Sequence, residues 1–354
     1  MDASVQQIPD VLLGWYDRYA RTLPWRSRPG DVAPDPYRVW LSEVMLQQTT
    51  TAAVAPYFAE FTRRWPDVRS LAAADDADVM AAWAGLGYYA RARNLLACAR
   101  AVTANGASFP DSEEELRKLP GLGAYTAAAV AAIAFDRRAV VVDANVERVV
   151  ARLFAIGTPL PQGRTAIRAG ADAITPDARA GDFAQAMMDL GATICTSRKP
   201  RCTVCPLSHA CTGYREGGAD GYPVKAPKAD RPERHGRAFW VQRSDAVWLV
   251  RRPGIGMLGG MRALPDDGWN ARGDGSGIPL VRGGWRPGGV VRHVFSHFSL
   301  QMHLAIYLGS EWDSLLPSEG EWWPIDRIDD AGLPTLFAKA ARLALALGPG
   351  EEKE

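Results

Sequence analysis

The chain has 354 residues, of which 47% are hydrophobic, and its 41 Lys and Arg nearly balance its 40 Asp and Glu to give a formal net charge of +1. This length predicts two domains, and the near-neutral charge does not by itself indicate a nucleic-acid partner. No apolar run is long enough to span a membrane, and the polar start MDASVQQIPD is unlike a secretory signal, so we expect a cytoplasmic protein.

The first part of the chain is predicted to be helical. An amphipathic helix is expected around residues 10–20, and Asp35-Pro36 has the form of an N-cap followed by proline at the first helical position. Further patterns with helical spacing cover roughly residues 53–65, 76–83, 88–104, 145–156, 163–175 and 182–194. Short connections between them favour an all-α region up to the cysteines.

A glycine-containing turn, Pro120 to Gly123, lies at the centre of this region. It follows a capped helix near residues 111–117 and precedes a small-residue helix from Ala124 to about residue 134. Gly121 and Gly123 allow positive φ, and a helix that starts after such a turn presents free N–H groups to an anion. The motif therefore predicts either a grip on one DNA strand through its phosphates or an ordinary interhelical turn.

Four of the five cysteines fall within one short segment, with the spacing C-x6-C-x2-C-x5-C. Such clustering predicts a closed metal site made of Cys195, Cys202, Cys205 and Cys211. The compact spacing favours a 4Fe-4S cluster, although spacing alone does not exclude zinc. Arg198, Lys199 and Arg201 in the same loop would contact phosphate or form a solvated charged surface. Cys98 stands apart and is predicted to be a buried small hydrophobe.

The composition changes after the last cysteine. Residues 213–236 are rich in Gly, Pro and charged residues without apolar periodicity, and we interpret them as a linker. Strand patterns follow near residues 238–241, 246–250 and 300–308, and a helix is expected near 334–347. The predicted organisation is one domain over residues 1–212, the linker, and an α+β domain over 237–354.

Several segments together resemble a known family. Ser42–Thr49, Gly85–Asn94, Leu119–Thr126, Asp143–Val146 and Gln185–Leu190, with the cysteine spacing, are similar to the helix-hairpin-helix DNA glycosylase superfamily and, within it, to MutY-type adenine DNA glycosylases. The resemblance implies a mainly α fold: a two-lobed helix-hairpin-helix glycosylase domain with an iron-sulfur loop, followed by a C-terminal α+β Nudix-like domain. The Nudix metal-binding pattern is missing, so no nucleotide pyrophosphatase activity is expected.

The resemblance also implies catalytic roles. Glu43 would be protonated and would deliver its proton to adenine N7, while an ionised Asp143 would stabilise the oxocarbenium-like sugar or bond to it transiently. Asn145 would orient the nucleophilic side, and Tyr125 would bond to Asp143. Tyr125 occupies the position of the lysine that cuts the strand in bifunctional relatives, so we expect base release without efficient strand cleavage.

Recognition residues follow from the same resemblance. The implied adenine pocket consists of Trp25, Arg26, Leu46 and Asp189, and the implied contacts with DNA or 8-oxoguanine are Gln48, Tyr88, Gly121, Gly123, Phe295, Ser296 and His297. Asp189 departs from the glutamate common in the family. Ala144 replaces a glycine, which would cost about 1 kcal/mol if its φ were positive.

The implied substrate is duplex DNA containing adenine opposite 8-oxoguanine or guanine, extruded from the stack before excision. The implied cofactor is a 4Fe-4S cluster, and a nucleoid-associated monomer is expected. Two alternatives remain: a related glycosylase for thymine in a G·T mismatch, against which Glu43 and the Phe295–His297 loop argue, and a non-catalytic binder of damaged DNA, against which the Glu43 and Asp143 pair argues.

Overall fold

The computed structural model describes residues 3–32, 34–227, 231–253, 257–279, 283–295, 297–309 and 320–348. It divides the chain into two compact units, Met1–Pro227 and Lys228–Glu354. Within the described residues, no helix is both long enough and apolar enough to cross a membrane.

The first unit is built from α-helices, as the sequence predicts. In chain order they are α1 (Ala3–Gln6), α2 (Ile8–Tyr19), α3 (Pro36–Leu46), α4 (Thr51–Arg64), α5 (Val68–Ala72), α6 (Asp76–Ala82), α7 (Ala90–Ala104), α8 (Glu113–Leu116), α9 (Ala124–Phe135), α10 (Ala144–Leu153), α11 (Arg164–Ile174), α12 (Ala180–Thr193) and α13 (Thr212–Arg215).

Two helices form the centre of this unit. Helix α9 is buried on nearly every side from Thr126 to Ala134, and its alanines let α3 and α12 pack closely against it. Helix α12 is buried from Ala180 to Gly191 except at Asp182. Helix α3 packs on α9, and α10 and α2 pack on α12. As a result, the N-terminal ends of α9 and α10 are held close to the middle of α3.

The predicted glycine turn joins α8 to α9. Gly121 has a φ of 76°, and an added Cβ would lie 2.6 Å from Cβ of Asn94 on α7. A glycine is therefore required there both for backbone conformation and for close approach. Gly123 is the N-cap of α9 with a φ of −79°, and nothing crowds its Cβ position, so only the first of the two glycines needs positive φ.

Part of the predicted linker folds with the first unit. After α13, Ala219 is buried and the carbonyl of Tyr222 accepts a hydrogen bond from Arg152 on α10. The amide of Leu160 also donates to the carbonyl of Val224. These contacts fix residues that the sequence alone presents as a polar connection.

The second unit is α+β. Its elements are β1 (Glu233–Trp240), β2 (Gln242–Arg243), β3 (Ala246–Arg251), β4 (Arg262–Ala263), β5 (Trp285–Val294), β6 (Ser299–Tyr307), β7 (Gly320–Pro324) and α14 (Thr335–Leu347).

These strands form two sheets. The first has the order β1-β6-β5, with β1 parallel to β6 and β5 antiparallel to it. In the second, the central strand β3 pairs with β2, β4 and β7. Helix α14 packs on the first sheet, and Phe298 and Phe337 lie in the core of this unit.

Candidate active site

The α3 helix carries Glu43 into the interior. Asp35 accepts a hydrogen bond from the Tyr37 amide at 2.7 Å, and Pro36 occupies the first turn, which confirms the predicted helix start. From Val39 to Met45 every residue of the helix is buried, and Glu43 is only 5% exposed. Glu43 is therefore not an ordinary surface glutamate.

Tyr125, in the first turn of α9, is the hydrogen-bond partner of Glu43. Its hydroxyl donates to Glu43 Oε2 at 2.6 Å. The expectation that Tyr125 bonds to Asp143 is therefore wrong. The two carboxylates share one cavity, and the first turn of α9 directs the tyrosine hydroxyl toward α3 rather than toward α10.

Asp143 is the N-cap of α10. Its Oδ1 accepts from the Val146 amide at 2.7 Å, and its Oδ2 accepts from Asn145 Nδ2 at 2.8 Å. The predicted orienting role of Asn145 thus has a geometric basis. Ala144 is the first residue of α10 and does not have positive φ, so the replacement of glycine causes no backbone strain.

These groups face one cavity of about 890 Å³. A cavity of this size can hold a nucleoside. The predicted site residues that line it are Trp25, Arg26, Glu43, Leu46, Gln48, Gly121, Gly123, Tyr125, Asp143 and Asn145. Gln185, a buried polar residue of α12 that was not among the predicted site residues, also lines it.

The environment of Glu43 favours its protonated form. Burial is the main cause that raises its pKa, from 4.5 to about 7, and the nearby charge of Asp143 raises it further. The Tyr125 hydrogen bond and the charge of Arg26 act in the opposite direction. A carboxyl group with a pKa near neutrality is suited to act first as a general acid and then as a general base.

Asp189 does not line the cavity, contrary to the expectation for the adenine pocket. It is fully buried on α12, and its oxygens accept hydrogen bonds from the main chain and Nε of Arg21 and from Nη1 of Arg26, at 2.7–2.9 Å. Its carboxylate is therefore fully engaged with these arginines, and it reaches the cavity only through them. Arg21 also lines the cavity, and no motif or spacing pointed to it.

Two residues expected to enter the duplex have the left-handed backbone conformation. Gln48 has a φ of 58° and lines the cavity, whereas Tyr88 has a φ of 50° and is 60% exposed outside it. The exposure of Tyr88 argues against a core aromatic. Residues other than glycine seldom adopt this backbone conformation, and it is concentrated at functional sites.

A hydrogen-bonded chain leads from Asp143 to the cysteine loop. Asn145, which donates to Asp143, accepts from Arg148 Nη2 at 2.9 Å, and Arg148 Nε donates to the carbonyl of Cys195 at 2.8 Å. One turn further along α10, Arg152 donates to the same carbonyl and to Thr196. Nothing in the sequence distinguished these two arginines from those on the surface.

The four clustered cysteines lie near one another. Burial raises the pKa of Cys205 to about 12, and the neighbouring thiols Cys195, Cys211 and Cys202 raise it further. Among the described residues, no group of three or more His, Cys, Asp or Glu side chains has a metal-holding arrangement. Four sulfur donors in one segment nevertheless fit the chemistry of an iron-sulfur cluster. Cys98, by contrast, is fully buried in the core, as predicted.

In the second unit, the predicted recognition loop is the turn between β5 and β6. Phe295 stacks on Phe298, with 4.7 Å between ring centroids, and also contacts Trp269, so it anchors the turn. Its amide donates to the carbonyl of Phe298 at 2.9 Å. His297 is exposed, and Ser296 lies outside the described residues.

The sequence and the structure of this chain are similar to those of known protein families and solved structures. Residues 41–169 match the "HhH-GPD superfamily base excision DNA repair protein" family, and residues 237–343 match the "NUDIX domain" family. The chain is 32% identical to the adenine DNA glycosylase of Homo sapiens, over 98% of this chain and 76% of that protein. It is 44% identical to the adenine DNA glycosylase of Mycolicibacterium smegmatis, over 68% of this chain and 85% of that protein. The structure is similar to a thermostable thymine-DNA glycosylase, with a TM-score of 0.53 and 28% identity over 60% of this chain and 97% of that one.

Proposed function

The chain belongs to the adenine DNA glycosylases, which are adenine-specific DNA N-glycosylases of base excision repair, and we propose that its Glu43 and Asp143 perform the excision. The observation that supports this proposal most strongly is the presence of both carboxyl groups in one cavity, with the pKa of Glu43 raised to about 7. With this pKa a large fraction of Glu43 carries a proton at neutral pH and can give it to a leaving base, while Asp143 supplies the opposing negative charge.

The proposed reaction begins with extrusion of adenine from duplex DNA into the cavity. Glu43 gives its proton to N7 as the N-glycosidic bond breaks, and the bonding electron pair leaves with the base on N9. Asp143 stabilises the positive charge at C1′, directly or through a transient bond. Glu43, now ionised, then takes a proton from the water that adds to C1′, which restores both carboxyl groups.

The surrounding residues support these two roles. Tyr125 holds the Glu43 carboxyl in place, and Asn145 and the Val146 amide hold that of Asp143. Trp25, Leu46 and Arg26 provide apolar and cationic walls for the base. Because Tyr125 is not an amine, it forms no Schiff base, and strand cleavage is not part of the proposed activity.

Recognition of the opposite base is proposed for the second unit. The turn anchored by Phe295 would present Ser296 and His297 to 8-oxoguanine, which differs from guanine in an O8 acceptor and an N7–H donor. Gln48 and Tyr88 would enter the duplex beside that base, and the turn containing Gly121 and Gly123 would hold a phosphate. Cys195, Cys202, Cys205 and Cys211 would carry a 4Fe-4S cluster that stabilises their loop.

One assay tests the excision directly. The protein is incubated with a duplex containing adenine opposite 8-oxoguanine, and free adenine and alkali-dependent strand cleavage are scored separately. We expect adenine release with little direct nicking, and release lost in the Glu43→Gln and Asp143→Asn variants. Full activity of Asp143→Asn would refute the mechanism.

A thymine substrate is the second candidate, because the structure is similar to a thymine-DNA glycosylase. A panel of duplexes with A:8-oxoguanine, A:G and G:T mispairs separates the two. Preferential release of thymine from the G:T duplex would replace the proposed substrate.

A further inference from the structure

Arg91 is a buried cation that hydrogen-bonds mainly to main-chain oxygens. It lies in the first turn of α7 and is only 8% exposed. Its guanidinium donates to four main-chain carbonyls and to Thr49 Oγ1. Burial lowers its pKa, as expected for a charge removed from water. An arginine buried in this way holds main-chain segments in place rather than forming a surface ion pair.

One end of the guanidinium binds the C-terminal end of α3. Nη1 donates to the carbonyls of Val44 at 3.1 Å and Met45 at 2.8 Å. The last carbonyls of a helix have no intrahelical partner and carry the negative end of the helix dipole, so a cation is favoured there. These two residues directly follow Glu43, and α3 ends at Leu46, two residues before Gln48.

The other end binds the turn that carries Tyr88. Nη2 donates to the carbonyls of Leu86 at 2.9 Å and Gly87 at 3.2 Å. The guanidinium carbon is 5.6 Å from the centroid of the Tyr88 ring and 5.3 Å from that of Trp83. Arg91 therefore holds both the backbone before Tyr88 and one face of its ring.

Both segments that Arg91 joins contain a residue in a strained conformation. Gln48 and Tyr88 have φ values of 58° and 50°. Left-handed φ is unfavourable for a residue other than glycine, and it persists only where surrounding contacts enforce it. Contacts from one guanidinium to both segments supply such enforcement.

We propose that Arg91 is a positioning residue that fixes Gln48 and Tyr88 relative to each other, so that both enter duplex DNA together while adenine is extruded toward Glu43. This inference rests on the proposed function, because it assigns Gln48 and Tyr88 to the duplex. Arg91 itself touches no substrate atom in this assignment. Its effect is on extrusion rather than on cleavage of the glycosidic bond.

The test uses Arg91→Lys, which keeps the charge but loses the planar fork that reaches both segments. Arg100→Lys is the matched control. Arg100 lies on the same helix and also donates to main-chain carbonyls, those of Ala72 and Ala74 at 3.3 Å each, and to Asp76 at 2.7 Å, none of which belongs to the two segments. Thermal unfolding of both variants shows whether they are folded before any activity is compared.

Extrusion is measured with 2-aminopurine in place of adenine opposite 8-oxoguanine, because its fluorescence rises when it leaves the stack. In Arg91→Lys we expect extrusion to slow roughly 10-fold or more, since small misplacements of positioning groups have effects of this size. Arg100→Lys should match the parent. An unchanged extrusion rate in a folded Arg91→Lys protein would overturn the proposal.

A second measurement distinguishes positioning from a general loss of stability. The Arg91→Lys, Tyr88→Ala double variant should extrude no more slowly than Tyr88→Ala alone, within about 2-fold, because one of the two groups whose relative position Arg91 fixes is already missing. Losses that multiply would overturn the proposal.

Failure of Arg91→Lys to fold and failure of the parent to release adenine each have a distinct consequence for the proposal. If Arg91→Lys does not fold, the Gln48→Ala and Tyr88→Ala cycle in the parent tests the same coupling, and independent losses there count against it. If the parent extrudes the base but releases no adenine, the proposed function fails while the extrusion signal still tests Arg91.

Discussion

Replacing Glu43 by glutamine should stabilise the protein, and the gain should grow with pH. The folded state raises the pKa of Glu43 from 4.5 to about 7, so between these values the folded protein holds a proton that the unfolded chain releases. The stability that Glu43 contributes is therefore fully present below pH 4.5 and is lost as the pH rises through 7. Glutamine stays neutral throughout and retains an oxygen for the Tyr125 hydroxyl.

The size of the effect follows from the same values. A rise in pKa from 4.5 to about 7 corresponds to about 3 kcal/mol of unfolding free energy at high pH, since each tenfold change in the proton equilibrium is worth about 1.4 kcal/mol. The group is almost completely buried, so solvent screening reduces this little. Between about pH 5.5 and pH 8.5 the advantage of Glu43→Gln over the parent should increase by about 2 kcal/mol.

Urea denaturation of the parent and variant at several pH values, followed by tryptophan fluorescence, measures this advantage. Glu60→Gln serves as the control, because the exposed Glu60 has its pKa lowered by Arg63 and does not titrate in this range. Its difference from the parent should not change with pH. A Glu43→Gln advantage that is absent, or that shrinks as the pH rises, would refute the claim that Glu43 is held protonated.

The remaining predictions concern activity and the buried ion pair. Single-turnover adenine release should fall about tenfold per pH unit above the pKa of Glu43, which is about 7 in the protein without substrate. A rate that increases with pH in this range would contradict the acid role. Asp189→Asn should destabilise the protein by roughly 3–5 kcal/mol by removing the partner of the buried Arg26, and chemical denaturation that shows no loss would disprove the pairing. Asn145→Ala frees one oxygen of Asp143 and should slow adenine release roughly 10-fold without weakening DNA binding, whereas an unchanged single-turnover rate would show that this hydrogen bond does not orient the carboxylate.

The helical unit was largely predictable because its signals are local. Asp35-Pro36 and the small-residue run after Gly123 each mark a helix start within a few residues, and both are confirmed. The five-residue helix α5 was missed because it is too short to show a period. The long strand β5 was missed because its ladder is interrupted between Pro287 and Val290, where glycines break the alternation.

The site was predictable as a set of residues but not as a set of contacts. Glu43 and Asp143 were identified through motifs, and the cavity contains both. The partner of Tyr125 was assigned to the wrong carboxylate, because sequence spacing does not show which of two helices a side chain faces across a cavity. The engagement of Asp189 by Arg21 and Arg26 depends on residues more than 160 positions away and has no local signal.

The most direct test of the mechanism replaces the atom that receives the proton. A duplex containing 7-deazaadenine opposite 8-oxoguanine keeps the shape of the base and its pairing edge but has carbon in place of N7. If Glu43 acts by protonating N7, the protein will bind and extrude this base without releasing it, while adenine is released from the matched duplex. Release of 7-deazaadenine at a rate close to that of adenine would contradict the proposed role of Glu43.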